Sequence, residues 1–423
     1  METKKQSIAV LGLGFVGLPL CQRFLEIGNT VHGIDIDRRK VESILNGEIY
    51  NPDINKNFIS ECIKKGQFVL HDASKGVANA DVIIICVPTP LTSENKPDLS
   101  YVIQAISNIL PYLKENQLVC LESTTYPGTT EELILPRIEA QGFQIGKNIY
   151  LAYSPERINP GSTIPLQVIP KVVGGTTEEC LKRAVEVYES IFDTVHKVSS
   201  TKAAEMTKIL ENTQRFINIS FINDCAILCE KMNIDIFEVI EAAATKPYGF
   251  VPFTPSTGIG GHCIPIDPLY LSWKAKEFGH ESVFINIADQ INKKMPEYIT
   301  EKILDFLLSK PRKLSSSVLL IGLAYKKDIN DVRESASLKI MEYLLQKGID
   351  VAYYDPYVPQ VMINSQMYHS IRVDEISNYD VNVLLTEHTN LPYEKIYASP
   401  KNLLDLKKFF VSSPRYSKEE MEK

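Results

Sequence analysis

Ser7-Ile8-Ala9-Val10-Leu11 is a short β-rich run that passes directly into Gly12-Leu13-Gly14-Phe15-Val16-Gly17, and an apolar, helix-compatible segment follows to Gly28. Strand, GxGxxG, helix is the order a dinucleotide-binding βαβ unit demands. The first glycine makes the tight turn, the second admits a pyrophosphate to the backbone, and the third lets helix pack on strand. The helix start then offers unpaired N–H groups and the positive end of its dipole to the phosphates. Thr30 to Asp35 is the next strand, and Asp35 at its end is placed to accept from both ribose hydroxyls. A 2′-phosphate would be repelled there, so the expected cofactor is NAD, with Arg38 and Arg39 the residues that argue for NADP. Gly12, Gly14, Phe15, Val16, Gly17 and Asp35 are the predicted cofactor contacts of this turn.

Further strand ends extend the same sheet. The continuous apolar run Asp81 to Val87 has the character of a parallel strand buried on both faces, and it stops at the stiff Pro88-Thr89-Pro90. Leu118 to Glu122 leads into Ser123-Thr124-Thr125-Tyr126-Pro127-Gly128, whose hydroxyls either cap a helix or face a ligand. Ile149 to Ala152 leads into Tyr153-Ser154-Pro155-Glu156-Arg157-Ile158-Asn159-Pro160-Gly161. Three consecutive strand ends carrying Thr89, Thr124, Glu156, Arg157 and Asn159 form one wall of a pocket.

From Ser200 to Met232 there is neither Gly nor Pro, which predicts one long helix suited to join two domains and to pack on a second subunit. Thr201, Glu205, Lys208 and Asn212 share a stripe of it, either a solvated face or a row aimed at a site. The loop Gly258-Ile259-Gly260-Gly261-His262-Cys263-Ile264-Pro265-Ile266-Asp267-Pro268 places a thiol after three glycines and ahead of a carboxylate between prolines. Such a loop can hold one sulfur still and accessible, although a buried structural cysteine is the plainer alternative. Thr245 to Pro255, with three prolines and with Tyr248, Phe250 and Phe253, is either a rigid lid over a ring or a set of anchors. Met295-Pro296 is expected to open another helix, and Lys310-Pro311-Arg312-Lys313 to link into a last domain.

That last domain begins with Ser317 to Tyr325 and continues through a helix from Ser337 to Gly348 and strands at Val351 to Pro356 and Val381 to Leu385. It has the rhythm of a dinucleotide fold without GxGxxG, so it is read as the site of a different nucleotide. Lys326, Lys327, Asp331 and Arg333 follow its first strand, as a diphosphate site or a surface charge cluster. The expected architecture is α/β. It comprises an N-terminal Rossmann domain (residues 1–198), a central long-helix region with the cysteine loop (199–310) and a C-terminal Rossmann-like domain (311–423).

The chain has 423 residues and a formal charge of -7, with no cue for nucleic acid or an anionic membrane as partner. No apolar run reaches spanning length, and the first is broken by glycines, so neither a leader nor an anchor is expected. Eight cysteines without CxxC or framework spacing fit reduced thiols and a cytoplasmic protein. The residues from Ser412 onward are polar and charged, as in a loosely ordered tail.

Together GLGFVGLPL, VPTP, STTYPGTT, SPERINPG, STKAAEMTKILEN, GIGGHCIPIDP and YKKDINDVRES resemble the UDP-glucose/GDP-mannose dehydrogenase family over nearly the whole chain. The closest likeness is to the UDP-N-acetyl-D-glucosamine 6-dehydrogenases. UDP-glucose enzymes carry a second Glu where this chain has Pro160, which leaves Glu156 as the remaining carboxylate for activating water. UDP-N-acetylmannosamine enzymes usually have GVGGHCIAVDP, and Ile264-Pro265-Ile266 departs from it. The resemblance implies a four-electron oxidation of a C6 alcohol to a uronate, with two NAD used in turn and a homodimer or higher oligomer. Cys263 is then the nucleophile, Lys208 and Asn212 stabilise oxyanions, Asp267 and Thr124 position water or relay a proton, and Glu156 is a base. By the same resemblance Thr89, Thr124 and Arg333 join the cofactor set, and Glu156, Arg157, Lys208, Asn212, Phe253, Gly260 and Lys326 the UDP-sugar set. His262 is not expected to act as base. A metal site of His262, Cys263 and Asp267 is not expected either, because the spacing is wrong and hydride transfer needs no metal. Two other readings remain: a two-electron hydroxyacid-type dehydrogenase that needs neither Cys263 nor the last domain, and an idle nucleotide-binding scaffold.

Overall fold

The computed structural model describes residues 5–49, 51, 54–158, 164–261, 263–309, 317–405 and 410. The expectations for Asn159 to Gly161, His262, the Lys310 to Lys313 linker and the tail from Ser412 lie outside these residues. The chain divides into two compact units, residues 1–211 with 269–280, and residues 212–268 with 281–423.

The first unit is built on eight strands, β1 (Ser7–Leu11), β2 (Thr30–Ile34), β3 (Phe68–His71), β4 (Val82–Ile85), β5 (Leu118–Leu121), β6 (Tyr150–Tyr153), β7 (Lys171–Gly175) and β8 (Val195–Val198), in the order β3-β2-β1-β4-β5-β6-β7-β8. β1 to β6 run parallel, whereas β7 meets β6 antiparallel and carries β8 parallel to itself. The central strands are apolar throughout because both faces are covered: Ile83, Ile84, Val119 and Leu151 are wholly buried. Ile85 pairs with Leu121 and Leu121 with Tyr153, so β4, β5 and β6 end level. The segments carrying Thr89, Thr124 and Glu156 thus leave one edge of the sheet side by side.

The second unit has β9 (Ser317–Ile321), β10 (Asp350–Tyr354), a hairpin of β11 (Gln360–Ile363) and β12 (Gln366–His369), then β13 (Val381–Leu384) and β14 (Leu403–Leu404). Its parallel sheet has the order β10-β9-β13-β14. The helix Val283–Leu308 covers that sheet together with Ala336–Gln346, and Met295, Ile299, Ile303, Ile340 and Leu344 join Val318 and Leu320 in the core. Met295-Pro296 does not open a helix: the helix runs through it, with Pro296 buried and its carbonyl accepting the Thr300 hydroxyl at 2.7 Å. Proline removes one N–H and crowds the preceding turn, and the row of buried apolar side chains on either side holds the helix together.

The long helix extends over Thr201–Lys231, close to its expected span. None of the helices among the described residues is long and apolar enough to cross a membrane.

Candidate active site

The first turn is held by Asp35. Its Oδ2 accepts the Leu13 N–H at 2.9 Å and the Lys40 ammonium at 2.8 Å, while Oδ1 accepts the Asp37 N–H at 3.0 Å. Gly12 has φ +92°, and a Cβ there would stand 2.3 Å from the Cys86 carbonyl oxygen, so neighbouring β4 forbids a side chain. A Cβ on Gly14 would meet no protein atom within 4 Å. The protein itself therefore does not need glycine at 14, and the open space there lies at the N-terminal end of the helix Gly17–Glu26, where a pyrophosphate would fit. These residues fit a bound dinucleotide. Arg38 is paired with Asp72 at 3.0 Å and Arg39 with Asp37 at 3.1 Å, so both guanidinium groups already have carboxylate partners.

At the level ends of β4, β5 and β6, Thr89 is buried and Thr124 half-buried, and the Ser123 hydroxyl donates to the Val87 carbonyl at 2.7 Å, tying the first two segments together. Beneath them lies a buried cluster that the sequence did not disclose. The Lys171 ammonium is 2.6 Å from Glu122, 3.2 Å from the Pro155 carbonyl and 4.0 Å from Glu156, and the Tyr188 hydroxyl donates to Glu122. Burial pushes the Glu122 carboxyl up against the pull of Lys171. Burial also opposes charge on Lys171, but Glu122 and Glu156 outweigh it and hold the ammonium above its usual range. The Glu156 carboxylate accepts the Ile158 N–H, which closes its own loop. Arg157 forks onto Glu211, with Nη2 at 2.7 Å, and donates to the Pro170 carbonyl at 2.7 Å.

The polar stripe of the long helix is not a solvated face, since Thr201 and Glu205 are wholly buried. Glu205 accepts from the Gly128 N–H and from the Thr130 N–H and hydroxyl at 2.8 and 2.7 Å, closing the start of the segment that carries Glu131 and Glu132. Burial lifts its carboxyl to about 7 in spite of these donors. Lys208 is half-buried and has no ion-pair partner among the described residues. Asn212, one turn on, donates its amide N–H to Asp267, which is buried.

In the second unit Cys263 is the one exposed cysteine of the eight. Its carbonyl accepts the Asp267 N–H at 2.9 Å, and the Gly261 N–H donates to the Arg333 carbonyl at 3.0 Å. Gly261 has φ +90°, and a Cβ there would strike the Tyr325 ring at 2.6 Å; at Gly260 it would lie 2.7 Å from the Glu334 carbonyl oxygen. Glycines are thus required for this loop to press on the segment after β9. Burial pushes the Tyr325 phenol up to about 12, with the charges of Asp331 and Cys263 adding to it. Arg333 forks onto Asp331, its Nη2 at 2.6 Å, and the electrostatic neighbourhood that raises its pKa includes Asp331, Tyr325 and Cys263. Its cation therefore belongs to the surroundings of the thiol, which its position in the sequence did not reveal. Phe253 packs against the core of this unit, Tyr248 is exposed, and Lys326 is half-buried after β9. Among the described residues no three His, Cys, Asp or Glu side chains are grouped to hold a metal ion.

A parallel sheet whose first strand runs into a glycine turn and a helix, with an aspartate at the end of its second strand, and a second nucleotide-type sheet have the form of a dinucleotide-dependent dehydrogenase of the α/β class. The chain belongs to the UDP-glucose/GDP-mannose dehydrogenase family: residues 6–192 match its NAD binding domain, 202–294 its central domain and 319–412 its UDP binding domain. It is accordingly an NAD-dependent oxidoreductase with a UDP-binding domain. Protein CapL of Staphylococcus aureus is 38% identical over 83% of this chain and 82% of its own. The UDP-N-acetyl-D-glucosamine 6-dehydrogenase of Pseudomonas aeruginosa is 36% identical over 84% of each. The structure of UDP-D-ManNAc dehydrogenase from Pyrococcus horikoshii superposes with a TM-score of 0.85 at 31% identity, covering 97% of both chains.

Proposed function

We propose that the enzyme oxidises the C6 alcohol of UDP-N-acetylglucosamine to the uronate. The observation that carries this reading is the accessible thiol of Cys263 on a glycine loop, with Asp267 and the Arg333 cation around it. NAD, when bound, supplies the hydride acceptor twice per sugar. The C6 alcohol first gives up a hydride and its hydroxyl proton to become the aldehyde; Cys263 as thiolate then adds to that carbon, and the Lys208 ammonium and Asn212 amide stabilise the oxyanion so formed. Loss of hydride from that tetrahedral carbon leaves a thioester on Cys263. Water then adds, giving its proton to Glu156, and the carbon–sulfur bond breaks to release thiolate and uronate; Thr124 and Asp267 position the water or relay the proton. Removing one oxyanion donor costs on the order of 3 kcal/mol, about a hundredfold in rate.

An N-acetylated sugar is favoured over glucose by the relatives' names and by Pro160, which stands where a second Glu would serve the glucose enzymes. UDP-N-acetylmannosamine is the second reading, favoured by the likeness to the Pyrococcus horikoshii structure. A panel of UDP-sugars followed at the nicotinamide band tests both. Two NADH per UDP-N-acetylglucosamine are expected, and Cys263→Ser is expected to stall before uronate forms. One NADH per sugar, or unaltered turnover by Cys263→Ala, would overturn the four-electron reading in favour of a two-electron dehydrogenase. A preference for the manno epimer would correct the sugar alone.

We further infer that the enzyme is at least a dimer, through an apolar face of the second unit. The long helix touches Val283–Leu308 where the Ser220 hydroxyl donates to the Ala288 carbonyl at 3.1 Å. Around that crossing Phe221, Phe284 and Ile287 are exposed at 62%, 74% and 50%, an apolar cluster of the kind that a second subunit covers.

A further inference from the structure

The turn after β9 repeats the architecture of the turn after β1. Asp355, at the end of β10, accepts the Leu323 and Ala324 N–H groups at 2.7 and 3.0 Å, as Asp35 accepts that of Leu13. The side-chain partner of the carboxylate differs, however: Asp35 has the Lys40 ammonium at 2.8 Å, Asp355 an imidazole. His388 is wholly buried, and its Nε2 lies 3.1 Å from Asp355 Oδ2. Its Nδ1 lies 2.9 Å from the backbone nitrogen of Asp328. A backbone N–H can only donate, so Nδ1 carries no proton and Nε2 carries the one that faces Asp355. The neighbouring Thr389 takes the other side of Asp328, its N–H donating to the carboxylate at 2.7 Å and its hydroxyl donating to the second oxygen. Asp328 has φ +61°, in the left-handed region that Asp visits more readily than most residues but at a cost, which these hydrogen bonds offset. Tyr357 closes over the imidazole, with ring centroids 4.9 Å apart.

We propose that His388 is a positioning residue for the diphosphate of the sugar nucleotide. Through Nδ1 it holds Asp328 in its left-handed conformation and so fixes the course of Lys326 and Lys327, which immediately precede it. This rests on the reading that Lys326 meets the UDP moiety. His388 touches no substrate: it acts through the backbone of Asp328, and the Asp355 carboxylate fixes the tautomer that lets it accept.

The test uses the full-length protein with UDP and, separately, NAD as ligands in calorimetric titrations. His388→Asn places an amide oxygen where Nδ1 stands, whereas His388→Gln fills the imidazole's length without an acceptor at that point. Loss of a net hydrogen bond to a strained backbone predicts UDP binding weakened roughly tenfold in His388→Gln and less than about threefold in His388→Asn, with NAD affinity unchanged in both. Thr389→Val, which leaves the buried imidazole in place, is expected to weaken UDP several-fold and serves if His388→Gln does not fold. A folded His388→Gln, or failing that Thr389→Val, with wild-type UDP affinity would overturn the proposal. So would equal loss of UDP and NAD affinity in the Asn and Gln variants, the mark of a purely structural role. Wild-type protein that binds UDP but reduces no NAD with any UDP-sugar would sink the enzymatic reading and leave the role of His388 to be judged by these titrations alone.

Discussion

Glu205 shows two effects pulling one carboxyl in opposite directions. Three donors favour its charged form, while complete burial disfavours it, and burial prevails to raise its pKa to about 7 from the ordinary carboxylate range. A pKa raised in the folded state means that the folded protein binds the proton more tightly than the unfolded chain. The associated stability is therefore fully present below about pH 4.5 and is lost as pH rises through 7, up to about 3 kcal/mol. Thermal melts of Glu205→Gln should lack this decline between pH 5 and 8, and a variant whose slope matches wild type would refute the assignment. Residues of this kind are the hardest to read from sequence. Asp35 and Cys263 are legible because a motif surrounds them on the chain, with glycines whose positions only a ligand or a close neighbour explains. Glu122 and Lys171 stand 49 positions apart, each at the end of an apolar strand, and only the order β5-β6-β7 brings them together.

Among the elements, the turn after β1 separates what the fold needs from what the ligand needs. Gly12→Ala forces a methyl onto the Cys86 carbonyl in a left-handed backbone, whereas Gly14→Ala meets only open space. Gly12→Ala is expected to lower the melting temperature by several degrees, corresponding to about 1–3 kcal/mol. Gly14→Ala should melt like wild type yet lose NAD affinity in a fluorescence titration. Intact NAD binding by Gly14→Ala would show that the pyrophosphate does not approach there. Most elements were legible because their periods are unmixed: the parallel strands are continuous apolar runs, and the long helix contains no breaker. The exceptions have physical causes. Pro296 ordinarily ends a helix, but the cost of one missing N–H is set against the burial of Met295, Ile299 and Ile303. The β11–β12 hairpin turns on Asn364-Ser365, both at positive φ, without the glycine that usually announces such a turn.

At the scale of the molecule, the proposed dimer follows from what the second unit leaves uncovered. In sedimentation velocity at micromolar concentration the wild-type chain is expected to run as a dimer or larger, and Phe221→Lys with Phe284→Lys as a monomer, because each charge would have to be buried unpaired. A monomeric wild type would end that inference. The two sheets also share a plan beyond the aspartate turns: Ser7 and Ser317 each take a backbone bond from the strand-leading Asp81 and Asp380 and donate one to its carboxylate. Where the first turn has Gly14, however, the second has Ala324, wholly buried, its N–H on Asp355 and its carbonyl accepting the Thr386 hydroxyl. The second turn thus carries a buried methyl at the position where the first leaves open space beside Gly14. In the proposed mechanism a scaffold carried twice with this difference serves two nucleotides, so that spent cofactor leaves and fresh cofactor enters while the sugar stays bound through Cys263.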